Sequence, residues 1–455
     1  MAAGKVVYLN HRRGLRYLAS NSTPGSFFTS RYVRRSMAEC VRKHTSHRRV
    51  AQWFMTMSES QARVTNGTHQ IMLCVLGICL TGGIICAAQS VDHGRRETPR
   101  LPTVAFDYSN DLPAYFTASD APDNIVGTDN TPVDNPVTDD GATLGRVLFY
   151  DTRLSENGTV SCGSCHQQRS GFSDPRRLSI GVHGQPTRRH SMALANARYY
   201  ARGKFFWDER AETLEQQVLI PIQDPVEMGM TLSRLETRLA SIPYYPPLFT
   251  AAFGNPVVTR DRIAHALAQF VRALVSYRSR YDTARNAGLP GSPAFLAQFT
   301  EPERRGHQLF VTVPGPGVRG AGCARCHVTD VQIVRGPRNI GLETAGDDGA
   351  GDARFKAPSL RNVAIRPPYM HDGRFTTLRE VIEHYDHGIV AHPFLDMTLL
   401  DRRLAVTGGP VRPTQLNLLE YEKDALLAFL NTLTDDSFIT DRRFADPFAP
   451  RPPSF

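Results

Sequence analysis

Two pentapeptides of one form, Cys162-Gly-Ser-Cys165-His166 and Cys323-Ala-Arg-Cys326-His327, are the residues whose types and spacing specify chemistry most directly. Two thiols at this spacing can add to the two vinyl groups of one porphyrin, and the histidine that follows can place its imidazole on the iron. The pattern is that of a c-type haem attachment site. Zinc and disulfides are the competing readings. Zinc takes four ligands in one cluster, whereas each copy offers three and the copies lie 161 residues apart. Two covalently bound haem c groups are therefore expected, one on Cys162, Cys165 and His166 and one on Cys323, Cys326 and His327.

The other cysteines fit this reading. Of 8 in the chain, Cys74, Cys79 and Cys86 fall inside an apolar run over residues 71–88 and Cys40 precedes it, so none beyond the run remains for a structural disulfide. The run and its Cys86-Ala87-Ala88 end fit a secretory signal cleaved near Ala88, with a short membrane anchor as the other reading. Either places the haem segments outside the cytoplasm, and the periplasm is the expected compartment; contact with a membrane is expected only if the apolar segment stays uncleaved. About 70 residues precede the run, which a translation start at Met55 or Met57 would explain; an Arg-rich transit peptide is the alternative. Residues 1–54 hold 11 Lys/Arg and one acid, so they carry +10 of a net charge of +9 and leave −1 for the rest. The basic balance thus belongs to the leader region, and the body gives no nucleic-acid signal.

The elements that must hold two haems are read from pattern. Residues 1–56 form an extension, 57–88 a signal or anchor, 89–138 a Pro/Asp/Asn-rich lead-in wrapping over the surface, 139–295 a first haem domain, 296–436 a second, and 437–455 a tail. Within residues 260–280, Ile263, Leu267, Phe270, Val271, Leu274 and Val275 recur at helical spacing and predict a core-facing helix that closes the first unit. Thr300-Glu-Pro-Glu303 and Thr377-x-x-Glu380 are capping boxes that open helices. A last helix is expected over residues 416–433 with Leu419, Leu426, Phe429, Leu430 and Leu433 inward, and the Gly/Asp-rich loop 341–352 is expected to face solvent. The fold class is mainly α: two cytochrome c-like haem domains in tandem.

Several ordered motifs then give the chain a resemblance. Leu-Gly-Arg-Val-Leu-Phe-Tyr-Asp (144–151), Ser-Ile-Gly-Val-His-Gly-Gln (179–185), Phe-Phe-Trp-Asp-Glu-Arg-Ala (205–211), Pro-Val-Glu-Met (225–228), Ala-Pro-Ser-Leu-Arg-Asn (357–362) and Pro-Tyr-Met-His-Asp-Gly-Arg (368–374) resemble the bacterial di-haem cytochrome c peroxidases and their MauG-type relatives. The resemblance implies that the His166 haem reacts with hydrogen peroxide and that the His327 haem accepts electrons or stores an oxidising equivalent. It assigns Glu227 as the distal acid that shuttles a proton, Gln217 as the distal glutamine, and Trp207 as the indole between the haems. His183, between Gly181 and Gly184, matches a loop histidine that caps the reactive iron at rest in many relatives; an exposed loop histidine is the plain alternative. Fourteen residues after His371, Tyr385 stands where ordinary peroxidases place a methionine ligand and MauG-type proteins a tyrosine, with Met397 and His387 as the other candidates. Relatives bind calcium between the domains through an asparagine that follows an arginine, whereas here Arg189 is followed by His190, a poor ligand for a hard cation. The carbonyls of Arg366 and Pro368 remain for such an ion.

The expected activity is reduction of hydrogen peroxide to water with electrons from a protein donor, a small cytochrome c or a cupredoxin. Two alternatives accompany it: a MauG-like oxidase that modifies side chains of a partner protein, favoured by Tyr385, and a non-catalytic di-haem electron carrier. A homodimer is compatible with all three.

Overall fold

The computed structural model describes residues 98–108, 112–118, 125–342, 346–401 and 412–448. The expected extension, signal or anchor, and start codon lie outside the described residues. Everything described belongs to the compact unit His93–Phe455. Helices are α1 (Ala114–Thr117), α2 (Asp139–Tyr150), α3 (Cys162–Cys165), α4 (Leu214–Gln223), α5 (Leu232–Ala240), α6 (Tyr245–Phe253), α7 (Arg260–Ala273), α8 (Arg280–Ala287), α9 (Pro293–Leu296), α10 (Glu301–Val311), α11 (Leu378–Glu383), α12 (Glu420–Asn431) and α13 (Asp436–Thr440). Pairing between extended segments is confined, among the described residues, to isolated bridges. No described helix is long and apolar enough to cross a membrane.

The two halves solve one packing problem in one way. α2 begins on Thr138, whose hydroxyl accepts the Gly141 N–H at 3.1 Å, with Asp139 and Asp140 in the first turn against the positive end of the helix. It crosses α7 at Gly145, where an added Cβ would stand 2.0 Å from the Ala266 carbonyl oxygen. α10 begins with the expected box, Thr300 and Glu303 capping each other, and crosses α12 at Gly306, where a Cβ would stand 1.9 Å from the Ala425 oxygen. Each glycine precedes the first cysteine of its haem motif by 17 residues. Leu144, Leu148, Phe149, Leu267 and Phe270 fill the first core, and Leu309, Phe310, Leu426 and Phe429 the second. A third, aromatic cluster of Tyr115, Phe116, Tyr199, Tyr200 and Tyr277 packs with Val331 and Ile333.

Several expectations shift. α7 stops at Ala273 instead of running to 280, because the next amides find better acceptors: Ser276 N donates to Asn196 Oδ1, and Tyr277 N and Arg278 N to Asp435 Oδ2. Val275 therefore joins the aromatic cluster. α12 starts at Glu420, since Leu416 N and Leu418 N are held by the Asp386 carbonyl and carboxylate. Leu419 sits at its cap, 48% exposed, not inward. The 341–352 loop is only partly solvated: Gly341 packs on Ile389, and Asp347 is tied to Arg189 at 2.5 Å. The lead-in also anchors the core, with Tyr108 and Phe116 buried. Beyond 436 the chain returns to the first half, where Phe438 and Phe444 enter its core and Tyr150 OH donates to the Phe444 carbonyl at 2.7 Å.

The Gly306 crossing generates a test. Alanine gains about 1 kcal/mol of helix propensity over glycine, but a methyl against backbone cannot be relieved by a rotamer. Gly306→Ala is expected to lower stability by about 1–3 kcal/mol in thermal or denaturant unfolding. Gly315→Ala, whose Cβ meets nothing nearer than 4.0 Å, should be neutral.

Candidate active site

Both haem motifs are built as short turns that aim an imidazole. In the first, Ser161 and Ser164 cap α3 reciprocally, and His166 N closes the turn onto the Cys162 carbonyl at 2.9 Å. His166 Nδ1 lies 3.1 Å from the Phe172 carbonyl. In the second, His327 N bonds the Cys323 carbonyl at 3.0 Å and His327 Nδ1 lies 3.1 Å from the Gln332 carbonyl. A carbonyl only accepts, so Nδ1 carries the proton in each ring and the lone pair of Nε2 is left for a metal. The two carbonyls belong to residues in left-handed backbone, Phe172 at φ 61 and Gln332 at φ 47, a conformation that non-glycine residues adopt at a cost. Behind each ring stands an aromatic side chain of the preceding helix: Phe149 at 6.5 Å from His166 and Phe310 at 6.4 Å from His327.

The second motif faces a cavity whose walls include Cys323, Cys326, His327, Leu378, Ile382, Leu426 and Leu430. The residues fit a porphyrin. The walls are mostly apolar, both thiols and the imidazole open into the space, and the buried Nε atoms of Arg338 and Arg366, which also line it, find no partner among the described residues. Propionate carboxylates would supply what those guanidinium groups lack. Burial pushes the Cys162 and Cys323 thiols up to about 12 and holds the His327 ring at about 4.

Tyr385 stands on the wall of the same cavity. After Glu383 the α11 backbone loosens into one π-helical turn, His384–Gly388, the kind of local widening that recurs where a helix must re-aim a side chain. His384 Nε2, 2.9 Å from the Ile340 carbonyl, holds the turn on one side. The Tyr385 hydroxyl has no hydrogen-bond partner among the described residues, and burial raises its pKa. The other two candidates lie elsewhere: Met397 is 63% exposed, and His387 is exposed and paired with Asp386 at 3.2 Å.

Trp207 also lines the cavity, and its position is fixed from the first half of the chain. Its Nε1–H donates to the His190 carbonyl at 2.7 Å, and its ring meets His371 edge-on at 6.4 Å. His190 is buried, with Nδ1 3.2 Å from the Arg177 carbonyl and Nε2 3.1 Å from Ser173 Oγ, and its N–H bonds the His371 carbonyl at 2.8 Å. Both ring nitrogens are used, so the His190 side chain has no atom to offer a calcium ion.

Near the first motif, Glu227 lies half-buried within electrostatic reach of Cys162 and Cys165. Burial first, and then the neighbouring Asp224, push its carboxyl up to about 7. Its carbonyl accepts Val182 N–H at 3.0 Å, which brings the His183 loop alongside. Gly181 is needed there for close approach, because a Cβ would fall 1.6 Å from the Val226 oxygen; only Gly184, at φ 79 with open space around it, retains the expected freedom. His183 itself is 55% exposed, with Nε2 3.6 Å from Glu156. Gln217 is half-buried on α4, and its side chain has no hydrogen-bond partner among the described residues. Sequence reasoning missed Phe172, Gln332, Arg338 and the guanidinium of Arg366. The constant offset of 161 residues that relates Gly145 to Gly306, Phe149 to Phe310 and Cys162 to Cys323 was the available signal for the repeated parts.

Comparison with known proteins agrees with this geometry. Residues 139–288 match the family model for di-haem cytochrome c peroxidase. The methylamine utilization protein MauG of Methylorubrum extorquens is 34% identical over 66% of this chain and 80% of its own length. Cytochrome c551 peroxidase of Nitrosomonas europaea is 32% identical over 66% and 82%. A crystal structure of a MauG-like protein associated with microbial copper homeostasis superposes with a TM-score of 0.60 at 34% identity, over 74% of this chain and 99% of that one. With tandem cytochrome c-like units, two oriented imidazoles and relatives matched over four fifths of their length, the chain belongs to the di-haem cytochrome c peroxidase and MauG family, whose members are haem-dependent oxidoreductases.

Proposed function

We propose that this MauG-like di-haem peroxidase acts in the periplasm, carries one covalently attached haem at each motif, and reduces hydrogen peroxide to water with electrons from a small cytochrome c or cupredoxin. When bound, the haems supply the iron that cleaves the peroxide O–O bond and the redox capacity that holds oxidising equivalents.

The observation that carries this reading is the unequal surroundings of the two motifs: a carboxyl poised near neutral pH beside the first, a phenol on the cavity wall of the second. At about 7, Glu227 can take a proton from one peroxide oxygen and return it to the other without a large mismatch in proton affinity. Gln217, with a free side chain, is the donor that orients the same ligand. His183 on the tethered Gly181–Gly184 loop is the group that covers or uncovers this side. Trp207, clamped by His190, is the stepping site toward the second motif, and Tyr385 together with His327 would hold the second iron. A phenolate favours oxidised iron more than a thioether does, so this side holds an oxidising equivalent in preference to drawing electrons from a high-potential donor.

That same tyrosine supports a second reading, oxidation of side chains on a partner protein. Turnover with reduced cytochrome c against a candidate protein substrate separates the two: fast cytochrome oxidation supports the first and removes the second. The broader test is the visible spectrum of the half-reduced protein with and without peroxide. A response confined to one haem is expected, whereas two saturated irons that ignore peroxide would leave only electron carriage.

Glu227→Gln should slow the peroxide step by about 100-fold or more, followed by stopped-flow absorbance. In the unsubstituted protein the rate should rise through about pH 7 as the carboxyl loses its proton, because the base form accepts the peroxide proton; the variant should show no such rise. Tyr385→Met should raise the potential of one haem by on the order of 100 mV or more and leave the other unchanged in a redox titration.

A further inference from the structure

Two residues past Trp207 the backbone again takes up a left-handed conformation. Phe206 at φ 70 and Glu209 at φ 54 flank the tryptophan within a turn closed by Phe205 and Ala211. Neither is glycine, so the turn costs free energy that the surroundings must offset. It sends Trp207 into the cavity wall of the second haem site and Glu209 onto Tyr200. The two Cα atoms can be no more than about 7 Å apart.

Tyr200 is 1% exposed, and its hydroxyl donates to Glu209 Oε1. The carboxylate also accepts Arg202 Nε and Nη2, each at 2.9 Å. Arg202 is 46% exposed, so the chain phenol, carboxylate, guanidinium runs from the buried ring to water. Lys356 connects this set to the tryptophan: its N–H bonds the Trp207 carbonyl at 2.8 Å, and its ammonium lies 3.9 Å from the Tyr200 ring centre and 4.3 Å from that of Phe205. Tyr200 packs in the cluster that includes Val331 and Ile333, which flank Gln332, the residue whose carbonyl holds His327.

A buried phenol gives up an electron readily only if its proton leaves as well, since a cationic ring in an apolar site is strongly disfavoured. Glu209 is a base already in hydrogen-bond contact. We infer that Tyr200 and Glu209 form a one-electron, one-proton redox site that fills a hole on Trp207. The inference rests on the peroxidase reading, which supplies the oxidant. One electron passes from Tyr200 to the oxidised indole and restores it. The phenolic O–H bond breaks, the proton forms an O–H bond on the Glu209 carboxylate, and a neutral tyrosyl radical remains. Lys356 opposes the step while charged, because a cation over the ring face stabilises the reduced ring. The site thus takes up equivalents that no donor has quenched.

Freeze-quench electron paramagnetic resonance on the haem-loaded ferric protein, mixed with hydrogen peroxide in the absence of donor, tests this. A tyrosyl signal is expected, narrowed by ring-deuterated tyrosine. It should fall to background in Tyr200→Phe, fall about tenfold or more in Glu209→Gln, where an acceptor remains but a base does not, rise in Lys356→Met, and persist in Tyr281→Phe, which removes a comparable phenol bonded to Asp330. Unchanged visible spectra establish that the variants fold. A signal that survives Tyr200→Phe, or no tyrosyl signal while haem absorbance responds to peroxide, overturns the inference and leaves the peroxidase reading standing. Haem absorbance that ignores peroxide overturns both.

Discussion

An imidazole can serve a metal through one nitrogen only if the other is committed, and in this protein that commitment falls to a main-chain carbonyl on a left-handed residue a few positions downstream. Phe172 and Gln332 hold His166 and His327 in this way at 3.1 Å. The bond fixes tautomer and ring plane together. The helix pairs that cross at Gly145 and Gly306 press Phe149 and Phe310 toward the two rings, so helix packing and ligand orientation are one problem. A slip at either crossing would move the aromatic backstop of the imidazole.

Joining two such units requires a rigid contact, because electron transfer across a protein depends on fixed separation. The contact is built from His190. Its carbonyl holds the Trp207 indole, its amide holds the His371 carbonyl, and its ring reaches Ser173 and Arg177 around the first motif. These are direct hydrogen bonds from one residue to elements of both halves.

Much of the site was legible in the sequence because its logic is local. Cys-x-x-Cys-His is a contiguous unit, and capping boxes at Thr300 and Thr377 announce their helices within four residues. What escaped is long-range. Nothing local to Val275 says that the amides beyond it will prefer Asn196 and Asp435 to another helical turn, or that Phe438 and Phe444 will return to the first core. Loop glycines show the same limit: Gly181 and Gly184 look alike in sequence, yet a neighbouring carbonyl makes one a close-contact residue and leaves the other free.

Identical Cys-x-x-Cys-His motifs at two sites make the remaining environment decisive. Both imidazoles are held alike, so the difference in reactivity has to come from the opposite side and from the field around it. Glu227 near the first motif is a group that changes charge within reach of neutral pH, suited to steps in which protons move. Around the second, Arg338, Arg366 and Tyr385 present donors and a phenol, and the one acid on the wall, Asp396, is held ionised by its pairing with Arg338 at 2.8 Å, suited to holding charge in place. On the proposed reading, the same fold element, used twice with different neighbours, separates proton-coupled chemistry from charge storage, and Trp207, on the cavity wall and held from the first half, is the indole through which the two would exchange an electron.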